Sequence, residues 1–202
     1  PSSPPLQAIF SHLPEEVYNG SDDCGRGTIQ QDAKNANLPT GQQPYTVLLE
    51  FKCSSLLAVA DLYGWGGNGA NQFNGIYLTR TDLRNYWISN AVLWTFADSG
   101  KTISDICDGS WHTTGTQFDG TTRRLFFDGA TVASDTPSGT HADRNNNFCL
   151  GTDRNGYTGS IRRFQVFDSG SVAATTISPP PPASLPPPPP LGCGYKLYQQ
   201  LM

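Results

Sequence analysis

Three glutamates, three histidines and five cysteines are the side chains of this 202-residue chain with the most chemistry to offer. Acid–base hydrolysis of a glycosidic bond needs two carboxylates flanking it, about 5 to 10 Å apart. Glu15, Glu16 and Glu50 do not supply such a pair: Glu50 lies in Leu-Leu-Glu-Phe-Lys, with no acidic residue two or four positions away. Asp108, Asp119 and Asp128 each stand directly before a glycine, a setting in which aspartate forms turns. His12, His112 and His141 are scattered, without metal-ligand spacing and without a Ser or Cys partner. The chain reads as a non-enzyme.

The cysteines Cys24, Cys53, Cys107, Cys149 and Cys193 are widely spaced, with no Cys-x-x-Cys pair. That pattern argues against zinc and for disulfides in an oxidising compartment. Five is odd, so two bridges leave one thiol, either buried or free to tie two chains together. Asn19-Gly20-Ser21 is an N-glycosylation sequon, so Asn19 is an expected glycan site in a secreted protein. The chain starts at Pro1 without Met, which reads as a processed product or an excised segment. A net charge of −4 gives nucleic acid no electrostatic footprint. No apolar run approaches membrane-spanning length.

Charged residues make up only 15% of the chain against 21 Gly and 16 Pro, which favours short strands over long charged helices. Residues 45–53 alternate: Tyr45, Val47, Leu49, Phe51 and Cys53 share one face, with Thr46, Glu50 and Lys52 on the other, the period of a half-buried strand. Further strands are expected within 25–38 and at 56–63, 73–78, 86–89 and 91–97. Residues 112–118, 123–127 and 130–133 form a three-stranded meander, because Asp119-Gly120 and Asp128-Gly129 between β-prone runs are hairpin signals. Residues 64–69, Gly-Trp-Gly-Gly-Asn-Gly, are too glycine-rich for a strand and are expected to form a rim loop carrying Trp65. Residues 135–147 read as a loop and 148–150 as a short strand, with Phe148 and Leu150 inward and Cys149 outward. In the closing strand, residues 159–167, Ile161, Phe164 and Val166 all face the core only if a bulge lies between them. Residues 6–18 show a weak helical pattern interrupted by Pro14. A dozen short strands at close spacing predict an all-β fold, a two-sheet antiparallel jelly-roll sandwich.

The order of motifs resembles the laminin-G-like branch of the concanavalin-A-like jelly rolls. The residues that carry the likeness are Asp108-Gly109-Ser110-Trp111-His112, a strand, Asp119-Gly120, and Arg124-Leu125-Phe126-Phe127-Asp128-Gly129. Leu62-Tyr63-Gly64-Trp65-Gly66 and the 159–167 strand fall in the family's order, so the likeness runs over residues 26–168. Glucanases of that superfamily place acidic residues alternately along one strand, a pattern missing here. Laminin-G-like domains often hold calcium at a rim loop. Asp143 and Asp153 lie in candidate loops, but no run of alternating Asp and Asn ligands marks a site, so no cofactor is assigned. Sugar binding is the more promising chemistry, with stacking faces among Trp65, Trp87, Trp94, Tyr63, Tyr77, Tyr86 and Tyr157. Trp65 is the least core-like of these on the sequence alone.

Beyond Asp168 the composition changes. Residues 169–190 form a Ser/Pro-rich linker: Ser178, then Pro179, Pro180, Pro181 and Pro182, then Ala-Ser-Leu, then Pro186, Pro187, Pro188, Pro189 and Pro190. Such runs adopt polyproline II at about 3.1 Å per residue, so residues 178–190 reach roughly 40 Å as a semi-rigid rod. The Ser-Pro-Pro-Pro-Pro run resembles extensins and other hydroxyproline-rich glycoproteins of plant and green-algal walls. That resemblance implies hydroxylation and arabinosylation of the prolines, and galactose on Ser178; the plainer alternative is an ordinary Pro-rich linker. Residues 191–202 regain apolar and aromatic character, with Cys193, Tyr195, Leu197, Tyr198 and Leu201. The expected organisation is an N-terminal extension (1–24), a jelly roll (25–168), the linker, and a C-terminal docking segment (191–202). The expected role is a secreted structural glycoprotein of a matrix, cell wall or surface, linked to copies of itself or other glycoproteins through its arm. A lectin-like carbohydrate-binding module is the alternative.

Overall fold

The computed structural model describes residues 7–19, 28–56, 59–67, 70, 72–87, 90–144, 147–152 and 157–170. Among the described residues, twelve strands build two antiparallel sheets packed face to face. The larger contains β1 (Phe10–His12), β2 (Glu16–Asn19), β3 (Tyr45–Leu56), β8 (Trp111–Phe118), β9 (Arg123–Phe127), β10 (Ala130–Asp135) and β12 (Tyr157–Phe167). Its order is β1-β12-β3-β8-β9-β10, with β2 also on β12. The smaller sheet contains β4 (Val59–Gly66), β5 (Phe73–Thr79), β6 (Asp82–Trp87), β7 (Asn90–Thr95) and β11 (Cys149–Thr152), ordered β11-β4-β5-β6-β7. Among the described residues there are also two short α-helices, α1 (Thr28–Asn35) and α2 (Ile103–Ile106), and a 3₁₀ turn at Ala97–Ser99.

The meander forms as its turns dictate. Asp128 and Gly129 both take positive φ (45° and 79°) between the paired residues Phe127 and Ala130, the backbone of a type I′ turn whose twist matches the strands it joins. Asp119 Oδ1 accepts from the backbone N–H groups of Thr121 and Thr122 (3.0 and 2.8 Å). Asp108 Oδ1 accepts from Ser110 N–H (2.7 Å). These three aspartates are turn formers. In β12 the pairing with β3 shifts between Arg162 and Gln165, and Arg163 takes φ 52°. That bulge is what brings Ile161, Phe164 and Val166 all to full burial.

Between the sheets the core is aromatic and threaded by polar contacts. Trp87 Nε1 donates to Tyr45 Oη (3.2 Å), and Tyr45 Oη donates to Asn74 Oδ1 (3.2 Å). Burial pushes the Tyr45 hydroxyl up to about 12, against the pull of its hydrogen bonds. Arg123, with no exposed surface, stacks on Trp87 (4.4 Å from guanidinium carbon to ring centre). Its Nε and Nη2 grip the Asp135 carboxylate (2.9 and 2.5 Å), and Nη2 also reaches Asn90 Oδ1 (2.8 Å). Because Asn90 begins β7 and Asp135 ends β10, this one side chain ties the small sheet to the large one. A disulfide joins Cys53 of β3 to Cys107, the residue after α2. Cys149 is disulfide-bonded as well; it lies outside the core cluster that takes Phe148 and Leu150, and it is nevertheless buried.

Three local readings need correction. Within 25–38 the described element is α1, a helix rather than a strand; its Gln, Ala and Lys are good helix formers, and Ala33 and Leu38 anchor the segment in the core. Of the 6–18 run, the described residues 7–18 are not helical: β1 and β2 pair with the two halves of β12, because Pro14 interrupts the run and an edge of β12 is open to pairing. The sandwich therefore reaches back before residue 25. Gly64, Trp65 and Gly66 do not form a loop; they are the end of β4, and Trp65 is fully buried. Cys24, Cys193, Asp153, Ser178, the prolines from Pro179 to Pro190 and the docking segment lie outside the described residues.

Candidate functional site

Alternation along β5 and β6 divides their side chains between the two faces of the small sheet. Asn74, Ile76, Leu78, Leu83, Asn85 and Trp87 are fully buried toward the large sheet. Phe73, Tyr77, Arg84 and Tyr86 point the other way and are partly exposed. Tyr77 and Tyr86 are stacked, with centroids 5.3 Å apart and planes at 29°, and Phe73 lies 6.1 Å from Tyr77. Three rings thus form one continuous, partly exposed strip on the side of the small sheet turned away from the core.

Glycines make room for that strip. Gly64 on β4 pairs with Gly75 on β5, and a methyl group on either would collide with the ring of Phe73. Phe73 therefore lies flat across two glycines instead of standing off the sheet. This is the physical reason for the glycine in Gly64-Trp65-Gly66 that the sequence suggests is a chain breaker: the residue clears a ring on the neighbouring strand.

The rest of the face is set by register. Tyr77 stands opposite Asp61 on β4 and Arg84 on β6, and Arg84 stands opposite Leu93 on β7. Leu93 is 47% exposed. Arg84 donates from Nε to Asp82 Oδ1 (2.6 Å) and from Nη2 to Oδ2 (2.7 Å). Thr81 Oγ1 adds a third bond to that carboxylate (3.0 Å). Burial opposes ionisation of Asp82, but the Arg84 and threonine hydrogen bonds outweigh it and hold the carboxyl below its ordinary value. The face is a row of rings edged by a neutralised ion pair, suited to flat, hydroxyl-bearing ligands with apolar C–H faces.

The other predicted site residues are used differently. Trp65 Nε1 donates to Pro39 O (3.0 Å) and the ring is fully buried, so it offers no face to a sugar. Tyr63 and Trp87 are fully buried and Trp94 nearly so. Asn19 closes β2; Tyr157 opens β12. Asp143 Oδ1 accepts from Gly67 N–H (3.0 Å), and its carboxylate is also paired with Arg144. Among the described residues, no group of three His, Cys, Asp or Glu side chains is placed to hold a metal ion. Glu50, buried, is pinned by Arg162 Nε (2.7 Å) and Arg163 Nη1 (2.5 Å). Glu16 meets His12 and Glu15 meets Lys52. A concavity of about 300 Å³ beside Pro39, Pro44 and Asp168 carries no aromatic ring. Phe73, Asp82 and Arg84 escape a reading of the sequence as sugar contacts. The available signal was the alternation of Phe73, Gly75 and Tyr77 with Asn74, Ile76 and Leu78.

No protein-family model matches the chain, and no curated protein matches it in sequence. Solved structures do match in shape. The chain is similar to the CBM40 module of the Ruminococcus gnavus IT-sialidase, solved bound to α2,6-sialyllactose, at TM-score 0.59 and 14% identity, over 85% of this chain and all of that module. It is also similar to part of the NanB sialidase of Streptococcus pneumoniae, at TM-score 0.58 and 14% identity, over 87% of this chain but 28% of the sialidase. The mouse laminin α1 chain, domains LG4-5, aligns at TM-score 0.50 and 15% identity, over 80% of this chain and 41% of that one. At these identities the likeness is one of fold: a jelly-roll β-sandwich of the kind found in carbohydrate-binding modules and laminin-G-like domains.

Proposed function

We propose that this chain is a secreted, non-enzymatic glycan-binding module that holds sugar on the outer face of its small sheet and is carried on a glycosylated proline-rich arm. The observation that carries this reading is the strip of Phe73, Tyr77 and Tyr86, kept flat by Gly64 and Gly75. Rings that belong to a core are buried against it; these are partly exposed on the face turned away from the core. Disulfides and the fold of extracellular neighbours support a secreted setting. No described helix is long and apolar enough to cross a membrane. The test is a glycan array on the full chain, repeated with Tyr86→Ala. Loss of a stacked ring should weaken binding about tenfold, the equivalent of ~1.4 kcal/mol. No bound glycan, or binding indifferent to Tyr86→Ala, counts against the reading.

A second reading makes the chain a building block of a surface or wall assembly. The observation behind it is the tail: Ser178 with Pro179–Pro182 and Pro186–Pro190, followed by an apolar end with Cys193. Hydroxylated and sugar-coated, that rod reaches from one globular unit to the next, where residues 191–202 dock and Cys193 supplies a covalent tie. Deleting residues 192–202 should leave the sandwich folded and abolish assembly. Polymers like those of the full chain would count against it, as would monomeric bands on both reducing and non-reducing gels.

A further inference from the structure

We infer that the aromatic face selects neutral sugars over acidic ones, and that Asp82 sets this choice by closing on Arg84; the inference rests on the glycan-binding reading above. Arg84 is the cation in the middle of the face, between Tyr77 and Leu93 in the cross-strand row. A free arginine there would offer its two-pronged fork to a sugar carboxylate or sulfate. The side-on fork is already taken, and the charge with it. Nε and Nη2 are spent on the two oxygens of Asp82, a carboxylate whose side chain is only 10% exposed, and Thr81 holds that carboxylate in place.

An incoming anion would therefore meet a neutral pair instead of a cation. Electrostatics on this face therefore give an acidic sugar no advantage over a neutral one. The Nη1 N–H groups of Arg84, not used by Asp82, suit a hydroxyl oxygen, because a hydroxyl accepts a hydrogen bond without needing a net charge. Asp82 and Arg84 are specificity-determining residues in this account, and the three rings supply the affinity.

The test is titration calorimetry on the full chain with two matched probes: a neutral hexose oligosaccharide and the same oligosaccharide ending in an acidic sugar. The wild type should bind the neutral probe and bind the acidic one at least about tenfold more weakly. Asp82→Asn frees the guanidinium at nearly constant shape and should close that gap. Asp82→Asn with Arg84→Gln should reopen it. If Asp82→Asn does not fold, the wild-type ratio still decides the class. Preference of the wild type for the acidic probe, lost with Tyr86→Ala, overturns the inference while leaving the glycan-binding reading intact. Binding of neither probe, or binding that ignores Tyr86→Ala, overturns the reading and the inference together.

Discussion

Removing the Cys53–Cys107 disulfide is the sharpest test of how the two sheets are held. The bridge leaves the middle of the large sheet at β3 and returns just after α2, 54 residues later. The loop it closes contains β4, β5, β6 and β7, four of the five strands of the small sheet. Cys53 is fully buried, so solvent does not share the site. For a loop of that size the entropy withheld from the unfolded chain is about 14 cal/mol/K, or ~4 kcal/mol at 25 °C. For a chain of this size, each kcal/mol moves the melting temperature by about 2–4 °C, so the double variant Cys53→Ala/Cys107→Ala should melt roughly 8–16 °C lower. Urea unfolding followed by tryptophan fluorescence measures the same loss as a shift in midpoint. The double variant is preferable to a reducing agent, which would also attack the disulfide of Cys149. A loss under about 1 kcal/mol would refute the reasoning, since the loop would then not be constrained by this link.

Two histidines should bracket the pH of greatest stability. Burial opposes charging of His112, but hydrogen bonding to Asp128 (2.8 Å) and the field of Asp108 and Asp128 win and raise its pKa. Its contribution is therefore full below the unfolded value and fades as pH rises through the raised one. Burial lowers His141 to about 4 against its bond to Gln43 O, so the fold loses up to about 3 kcal/mol as pH falls from roughly 6.5 to 4. Urea midpoints across pH should peak between these ranges, with His112→Gln flattening the alkaline side and His141→Gln the acid side; a profile unchanged in either variant contradicts this. Arg123→Ala should cost about 3–5 kcal/mol, because Asp135 is left without its partner; a loss near zero in urea unfolding would mean the inter-sheet clamp carries no stability. Gly64→Ala, whose new methyl group has the ring of Phe73 as its nearest neighbour, should displace that ring and weaken glycan binding more than it lowers stability, and equal binding by this variant would separate Phe73 from the site.

Local chemistry in the sequence settled part of this fold and left the rest to contacts between distant residues. The meander was legible because a two-residue Asp-Gly turn fixes its own hairpin, and Asp128 and Gly129 adopt the needed backbone. The bulge in β12 was legible from the spacing of Ile161, Phe164 and Val166. The helix at α1 was not, since strand and helix compete closely over eight residues. Trp65 was misplaced because Gly64 was taken for a breaker, when its role is to clear Phe73 on β5 nine residues away. The site was half visible. Tyr77 and Tyr86 stood among seven candidate rings; alternation along 73–78 separates Tyr77 from the buried set, but only the sheet order puts Tyr86 beside it. The Asp82–Arg84 pair carries no local signature at all, because its meaning depends on which face of the sheet it shares with those rings.

The most direct measurement of the central claim is an NMR titration of the isotopically labelled full chain with the oligosaccharide that scores best on the array. Shifts concentrated on Phe73, Tyr77, Arg84, Tyr86 and Leu93, with the core rings Trp65 and Trp87 unmoved, are the predicted result. Shifts gathered on other loops with the small-sheet face silent would contradict it.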